Sequence, residues 1–298
     1  MVSSERVLVT GANSFTGKPL VQTLRHDGHQ VVTVGGRHGD VDFRADLRDP
    51  DEIIDVIAQV KPTAIVHMAA ITFAPDQHFH QIYTTNVSGT ASLLKGAKTF
   101  CSELKIVILP SAAKIYAEPD TNHPIDEDSP LAPPDHYSVS KLAMEKMAGL
   151  FGKELPITIT RPFNYTGPGQ ASKFFVPKLV TAFVAGQDVR IGNLQVWRDF
   201  SDIDTVVETY RRLIARPQPG RIFNICSGKP VQLHAIAEML REITGNDISL
   251  TVDPAFVRAG EPEFIVGSRQ RLEEAIGQLP ETDIKATLTR MVAHVSTH

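Results

Sequence analysis

The stretch "VLVTGANSFTGKPL", residues 7 to 20, begins as an apolar β-branched run, breaks at a glycine and resumes after a second glycine as a helical pattern. Gly11 and Gly17 bracket the break. Backbone amides at a helix N-terminus can hold a pyrophosphate, and a side chain at either glycine would crowd such a turn. The same turn can also be a plain strand-to-helix connection. Its position at the head of an alternating series is what favours a dinucleotide.

That series continues through "HQVVTVG" (29–35), "PTAIVHMAA" (62–70) and "LKIVILPSA" (104–112), separated by helical-length segments such as "PDEIIDVIAQV" (50–60). A further helix over about 137–152 leads into "PITITRPFN" (156–164), another buried strand. Strands alternating with helices predict βαβ units, hence an α/β protein with a Rossmann-type doubly wound parallel sheet. After residue 163 glycines, prolines and aromatics predominate in "FNYTGPGQASKFFVP" and "VRIGNLQVWRDFSD". The expected division is a dinucleotide-binding domain over 1–163, with returning segments at about 195–228, and a smaller, discontinuous C-terminal substrate lobe made mainly of 164–298. Ligands of open α/β sheets sit beyond the carboxyl ends of the strands, so substrate is expected between the two parts.

The composition narrows the partners. With 298 residues and 42% hydrophobic content the chain can bury a large core. Its net charge of -4, with scattered lysines and arginines, offers no basic surface for a nucleic acid. The two cysteines lie far apart, there is no charged-then-apolar leader and no long apolar run, so the reading is cytoplasmic, with reduced thiols and no membrane span. The "NVS" and "NYT" matches at Asn86 and Asn164 are then chance glycosylation patterns. His78 and His80 in "DQHFH" lack a third ligand nearby, and read as a solvated or substrate-facing loop rather than a metal site.

The second strand, "QVVTVGGRHGD", lacks the acidic residue that usually accepts the adenosine ribose hydroxyls, and carries Arg37 beyond its end. An arginine there suits a 2′-phosphate, so NADP(H) is preferred with NAD(H) as the alternative; a solvated loop arginine is the competing reading. Asp46 and Leu47 are placed to touch the adenine, although Asp46 can equally cap a helix. "HYSVSK" sets Tyr137 and Lys141 four residues apart, on one side of a helix. A cation near the phenol favours the phenolate and tunes it for proton transfer, and the lysine can also hold the nicotinamide ribose.

"TGANSFTG", "HMAA", "NVSGT", "YSVSK" and "RPFN", in this order and spacing, resemble the extended short-chain dehydrogenase/reductases, the NAD-dependent epimerase/dehydratase family that works on nucleotide sugars. The resemblance spans essentially the whole chain. "FNYTGPGQ", "GNLQVWRDFSDI", "FNICSGK" and "VRAGEPEFIVGSRQRL" are similar, more narrowly, to the GDP-4-keto-6-deoxy-D-mannose reductases. The resemblance implies that Gly11, Ser14, Phe15, Gly17, Ala69, Asn86, Tyr137, Lys141 and Phe163 contact the cofactor. It implies that Asn164, Asn193, Arg198, Arg258 and Glu261 hold the nucleotide diphosphate, and that the protein is a homodimer through the helices that include Tyr137. The chemistry agrees, since two arginines can clamp a diphosphate and a carboxylate can accept both ribose hydroxyls. Surface ion pairs are the plainer reading of the arginines. Asp199 and Asp202 are expected as caps before "DTVVETYRRL".

Departures from the family pattern define the open question. The middle glycine of the turn is Ser14, whose hydroxyl can add a phosphate contact if its backbone angles permit. In "LPSAAKIYA" (109–117), Ala112 stands where the family places a serine or threonine that helps polarise the sugar carbonyl, and the one hydroxyl is Ser111, a step away. A step of one residue on a strand points to the other face. Either a bulge at Pro110 turns Ser111 inward, which is the expectation, or Tyr137 works without a serine, or the enzyme is inactive. The family's dehydratases carry an acid just after that hydroxyl; Ala113 and Lys114 here disfavour dehydration. The leading expectation is therefore NAD(P)H-dependent reduction of the 4-keto group of a nucleotide-linked 4-keto-6-deoxyhexose. The alternatives are a nucleotide-sugar 4-epimerase with bound NAD and a non-catalytic cofactor-binding regulator.

Overall fold

The computed structural model describes residues 4–36, 39–72, 78–119, 123–256 and 262–297. Arg37, Arg258 and Glu261, singled out in the sequence, lie outside the described residues.

The first strand, β1 (Arg6–Thr10), is followed by α1 (Gly17–His26), β2 (Gln30–Gly35), β3 (Phe43–Arg44), α2 (Pro50–Val60) and β4 (Ala64–His67). A short helix α3 (His80–Tyr83) runs through a π-helical turn (Thr84–Gly89) into α4 (Thr90–Phe100), and β5 (Ile106–Pro110), α5 (His136–Gly149) and β6 (Ile157–Pro162) complete the pattern read from the sequence. A later strand, β10 (Ile222–Ile225), pairs with β6 and gives a seven-stranded sheet in the order β10-β6-β5-β4-β1-β2-β3, with every pairing parallel. Chain order reverses between β1 and β4, which opens a crevice at their carboxyl ends.

Both faces of the sheet are covered, so the strands read as unbroken apolar runs. On β1, Val7 and Val9 pack into one cluster with Leu20, Val21 and Leu24 of α1, while Leu8 packs oppositely with Ile53, Ile57, Leu93 and Leu94 of α2 and α4. Helix starts follow local chemistry. Asp49 caps α2 by accepting the Asp51 amide ahead of Pro50, and Asp135 and Ser138 form a reciprocal capping box on α5.

The C-terminal part has its own core, built from α6 (Phe175–Ala185), α8 (Leu233–Thr244) and α10 (Ile284–Thr297). It also carries a small sheet in which β9 (Trp197–Asp202) lies between β11 (Pro230–Gln232) and β13 (Phe264–Ile265) and also pairs with β7 (Asn164–Thr166). The segment that returns to the large sheet is narrower than the 195–228 expected from the sequence. It comprises α7 (Ile203–Ala215) and β10, and a second return, α9 (Gln270–Ile276), packs Leu272 and Ile276 onto the same face.

Candidate active site

The phosphate turn has the geometry that only glycines allow. Gly11 adopts φ +64°, and a Cβ there would lie 2.7 Å from the Ala69 amide nitrogen; a Cβ on Gly17 would fall 2.3 Å from the Gly11 carbonyl. Two strand ends that are neighbours at the reversal of chain order thus meet backbone to backbone. Ser14 closes the turn from within, its amide donating to Gly11 O at 2.9 Å and its hydroxyl accepting from the Gly17 amide at 3.0 Å. The Ser14 hydroxyl therefore spends an acceptor site on the helix start and keeps its own proton to donate. Phe15 stacks on Tyr165 with centroids 5.9 Å apart, and Thr16 meets the Tyr165 hydroxyl at 2.9 Å, tying the turn to β7.

A buried polar chain leads from this turn to the helix that carries Tyr137. The Ala69 amide donates to Thr10 Oγ1, which meets His67 Nδ1 at 2.7 Å; His67 Nε2 meets Thr90 Oγ1 at 3.1 Å, and Thr90 donates to the Asn86 carbonyl. Burial first, and the Lys141 charge second, pull the His67 pKa down to about 3, so the imidazole is neutral at working pH. The Asn86 side chain accepts from the Ile71 amide at 2.8 Å and donates to the Ile71 carbonyl and to Ser140 Oγ, and Ser140 donates to the Tyr137 carbonyl. The expected cofactor contact of Asn86 is thus recast: its amide is committed to fixing the strand end and α5. Leu47 packs against Gly89 of the π-helical turn, where a Cβ would fall 2.8 Å from Leu47 Cβ, and Asp46 is bound by Arg48 while Asp49 takes the capping role.

Tyr137 and Lys141 share a face of α5 as the spacing requires, with Lys141 Nζ 5.9 Å from the centre of the Tyr137 ring. Lys141 is buried and donates to the Pro110 carbonyl at 2.7 Å. Burial lowers its pKa to about 8, against the opposing pull of Glu145. The expectation that Lys141 lowers the phenol's pKa is not met here. Burial raises Tyr137, and the nearby Tyr165 and Asp135 act in the same direction. Tyr137 is accordingly a protonated phenol at neutral pH.

The β5–β6 register runs without interruption from Val107↔Ile157 to Pro110↔Thr160, and the Ser111 amide continues it by donating to Thr160 O at 2.7 Å. The bulge expected at Pro110 therefore does not form. Alternation carries Ser111 to the side of Leu109, whose cluster includes Met144 and Ala148 of α5. There the Ser111 hydroxyl is buried and, among the described residues, without a hydrogen-bond partner. Ala112 follows in extended backbone, φ -159° and ψ 144°. Lys114, where dehydratases carry acid chemistry, pairs with Asp135 at the α5 cap.

A family model for the NAD dependent epimerase/dehydratase family matches residues 7–226. The chain belongs to that family. It is similar to GDP-6-deoxy-D-talose 4-dehydrogenase of Aggregatibacter actinomycetemcomitans, 32% identical with 96% of each chain covered. It is also similar to GDP-6-deoxy-D-mannose reductase of Pseudomonas aeruginosa, 28% identical with 97% of each covered. The structure of RMD from Pseudomonas aeruginosa complexed with NADPH superposes with a TM-score of 0.87 at 28% identity over 99% of both chains. The protein is an NAD(P)-dependent oxidoreductase of the extended short-chain dehydrogenase/reductase type.

For an epimerase/dehydratase family member, the remaining predicted residues divide. Gly11 and Gly17 let the strand-to-helix turn close backbone against backbone at the head of α1, and a tight turn at a helix N-terminus fits a dinucleotide pyrophosphate. Phe163 instead packs inward, stacked on Tyr116 at 6.2 Å, so only its backbone can face a cofactor. On the substrate side, Asn164 donates to the Asp199 carbonyl, Asn193 accepts from the Gln195 amide, and Arg198 donates to the carbonyls of Trp197 and Pro262. β7 and β9 bring Asn164 and Arg198 onto one small sheet. Asp202 caps α7, as expected, but Asp199 does not cap a helix. Fully buried, it accepts from the amides of Ser227, Gly228 and Gly267 and from the Ser227 hydroxyl, and burial raises its pKa against those bonds.

One feature went unread in the sequence. Arg161 forms a bidentate pair with Glu145 at 3.0 and 2.7 Å, both side chains buried, and donates to the Tyr116 hydroxyl. Its signal was available, because a charge inside the apolar strand "PITITRP" needs a buried partner, and Glu145 continues the Tyr137–Lys141 face. Among the described residues no group of three His, Cys, Asp or Glu side chains could hold a metal ion, and no helix is long and apolar enough to cross a membrane.

Proposed function

We propose that this chain reduces the 4-keto group of a nucleotide-linked 4-keto-6-deoxyhexose, with GDP-4-keto-6-deoxy-D-mannose the favoured substrate and NADPH the favoured reductant. The observation that carries the reading is the pairing of Tyr137 and Lys141 on one face of α5, Lys141 Nζ 5.9 Å from the ring centre, on a helix tied to Asn86 through Ser140. The relatives that act on GDP-linked 6-deoxyhexoses support the substrate class.

A reduced nicotinamide dinucleotide, its pyrophosphate held at the Gly11–Gly17 turn, would supply a hydride to C4. Tyr137 gives its phenolic proton to the carbonyl oxygen as C4 is reduced, leaving an alcohol and a phenolate. Lys141 would hold the nicotinamide ribose, while its bond to Pro110 O fixes the ammonium on β5. Gly11, Ser14, Phe15, Gly17, Ala69 and the Phe163 backbone form the cofactor wall, with Asp46 and Leu47 toward the adenine. Arg37 pairs with the 2′-phosphate. Asn164, Asn193, Arg198, Arg258 and Glu261 receive the nucleotide diphosphate, the arginines by charge and the carboxylate by accepting ribose hydroxyls.

Ser111 supplies no hydroxyl to the carbonyl in this reading, because the unbroken β5–β6 register leaves no bulge to turn it inward. Apolar Phe100, Val139 and Leu150 stay exposed along α4 and α5, Leu150 at 81%, and support a homodimer formed on these helices. Two buried free thiols, Cys101 and Cys226, agree with a cytoplasmic location.

The test is incubation with GDP-4-keto-6-deoxy-D-mannose and either NADPH or NADH, following cofactor oxidation and the product by NMR. Formation of a 4-hydroxy product with stoichiometric oxidation of NADPH is expected. Cofactor that co-purifies as bound NAD, with interconversion of two 4-hydroxy sugars and no net oxidation, would establish the epimerase instead.

A further inference from the structure

We propose that Glu145, pinned by Arg161, is a positioning residue for Lys141: its carboxylate holds the buried ammonium in the charged form and leaves the ammonium's donors free for a ligand. This rests on the reading of Lys141 as the group that holds the nicotinamide ribose. Glu145 follows Lys141 by four residues on α5, as Lys141 follows Tyr137, so the three side chains lie along one strip of the helix. Neighbours at that spacing have Cβ atoms about 5–6 Å apart. Lys141, Glu145 and Arg161 are all buried, where water screens their charges little.

Both Glu145 oxygens are taken by Arg161, whose Nε donates to one at 3.0 Å and Nη2 to the other at 2.7 Å. The guanidinium is itself held from behind. Its Nη1 donates at 3.0 Å to the Tyr116 hydroxyl and at 3.0 Å to the Glu127 carbonyl, and Tyr116 donates to Asn224 on β10. The carboxylate is thereby kept from swinging over to bind Lys141. Lys141 donates instead to the Pro110 carbonyl at 2.7 Å, and an ammonium has two further N–H donors to offer. Capture by Glu145 would use one of them; a carboxylate fixed one turn away supplies its field and uses none. Pro110 and Thr160 are register partners on β5 and β6, so the anchor of Lys141 and the arginine that anchors Glu145 stand on neighbouring strands beneath one helix.

The neutral amine is the favoured state of a lysine enclosed in apolar surroundings. Burial brings the Lys141 pKa down to about 8, and Glu145 is the charge that opposes the fall. The other titratable groups toward Lys141 are Tyr137 on α5, which burial raises, and His67 on β4, which burial brings down to about 3. Neither changes charge near pH 8. Arg161 on β6 reaches Lys141 only through the carboxylate it binds. Stability alone is a poor account of the pair, because desolvation offsets the attraction between two buried charges.

The test reads the charge of Lys141 without turnover. Cofactor-free protein carrying ε-carbon-13 lysine is titrated by NMR, and the Lys141 signal is identified by its loss in Lys141→Met. Wild type should show a midpoint near 8. Glu145→Gln should lower it by about one unit or more. The double variant Glu145→Leu, Arg161→Met leaves no unpaired buried charge, so it stays folded and should move the midpoint the same way. Arg161→Lys keeps a cation on the carboxylate and should hold the wild-type midpoint even where its melting temperature drops. A folded double variant with an unmoved midpoint would overturn the proposal, as would an Arg161→Lys midpoint displaced as far as that of Glu145→Gln. NADPH affinity by fluorescence, measured at about pH 8, should fall about fivefold in the Glu145 variants, as the charged fraction drops. A shifted midpoint with unchanged NADPH affinity would instead remove the ribose role of Lys141 and leave the action of Glu145 standing.

Discussion

Ser111 and Ala112 give the sharpest perturbation, because the two residues differ by one step along a strand whose register is unbroken. Ser111 Oγ is buried and, among the described residues, has no hydrogen-bond partner, so Ser111→Ala deletes an orphan hydroxyl and breaks no hydrogen bond. Leaving a hydroxyl buried and unpaired costs about 1–3 kcal/mol, offset by the small void its removal leaves. Stability should therefore hold or rise by up to ~1 kcal/mol, and turnover should stay within about twofold. Ala112→Ser adds one oxygen on the opposite face, in extended backbone that serine adopts without strain. An oxyanion-type donor in good geometry is worth ~10²–10³ in rate, which sets the ceiling; a gain of about tenfold or more would show that the family position was vacant. The assay is NADPH oxidation at saturating sugar nucleotide, with chemical denaturation of each variant. A Ser111→Ala enzyme that is folded but slower by ~10² would refute the reasoning and restore Ser111 as the carbonyl's hydrogen-bond donor.

Tyr137→Phe keeps the ring and removes the proton, so NADPH affinity by fluorescence should persist while turnover falls by at least ~10²; a near-native rate would reassign the proton donor. Arg198→Ala should raise the dissociation constant of GDP in calorimetry by about tenfold or more and change NADPH affinity little; unchanged GDP binding would end its role in the diphosphate clamp. Arg37→Ala should raise the KM for NADPH far more than for NADH, and equal effects would remove the 2′-phosphate argument. Lys141 supplies a pH test. Its folded pKa, about 8, lies below the usual lysine value, so the unfolded chain binds more protons between about 8 and 10.5 and stability from this group rises with pH across that window. Lys141→Met should flatten that rise in thermal melts of the cofactor-free protein. An identical slope in the variant would show that the ammonium is better solvated than its burial implies.

The parts legible in the sequence were those that local pattern encodes. β-branched runs alternating with amphipathic segments marked five strands of the parallel sheet, β1, β2, β4, β5 and β6, two glycines marked the turn, and a four-residue spacing put Tyr137 and Lys141 on one face. What stayed hidden depends on partners distant in the chain. Asn86 looks like a cofactor contact until Ile71 and Ser140 are seen to use its amide, and Asp199 looks like a helix cap until the amides of Ser227, Gly228 and Gly267 converge on it. The phenol of Tyr137 was read from its lysine alone, whereas the depth of its burial, a property of the assembled fold, sets the direction. The bulge at Pro110 was a local inference overruled by pairing with β6.

The return of α7, β10 and α9 to the large sheet bears on how the chain reaches its native state. Val206, Tyr210 and Leu213 of α7, Phe223 of β10 and Leu272 of α9 cover one face of a sheet whose central strands are made of the first 162 residues. During synthesis those strands are complete long before their cover is, and the Asp199 carboxylate waits for Gly267 to close its set of amides. A nascent chain ending near residue 200 carries an open apolar sheet face, the kind of surface that associates wrongly.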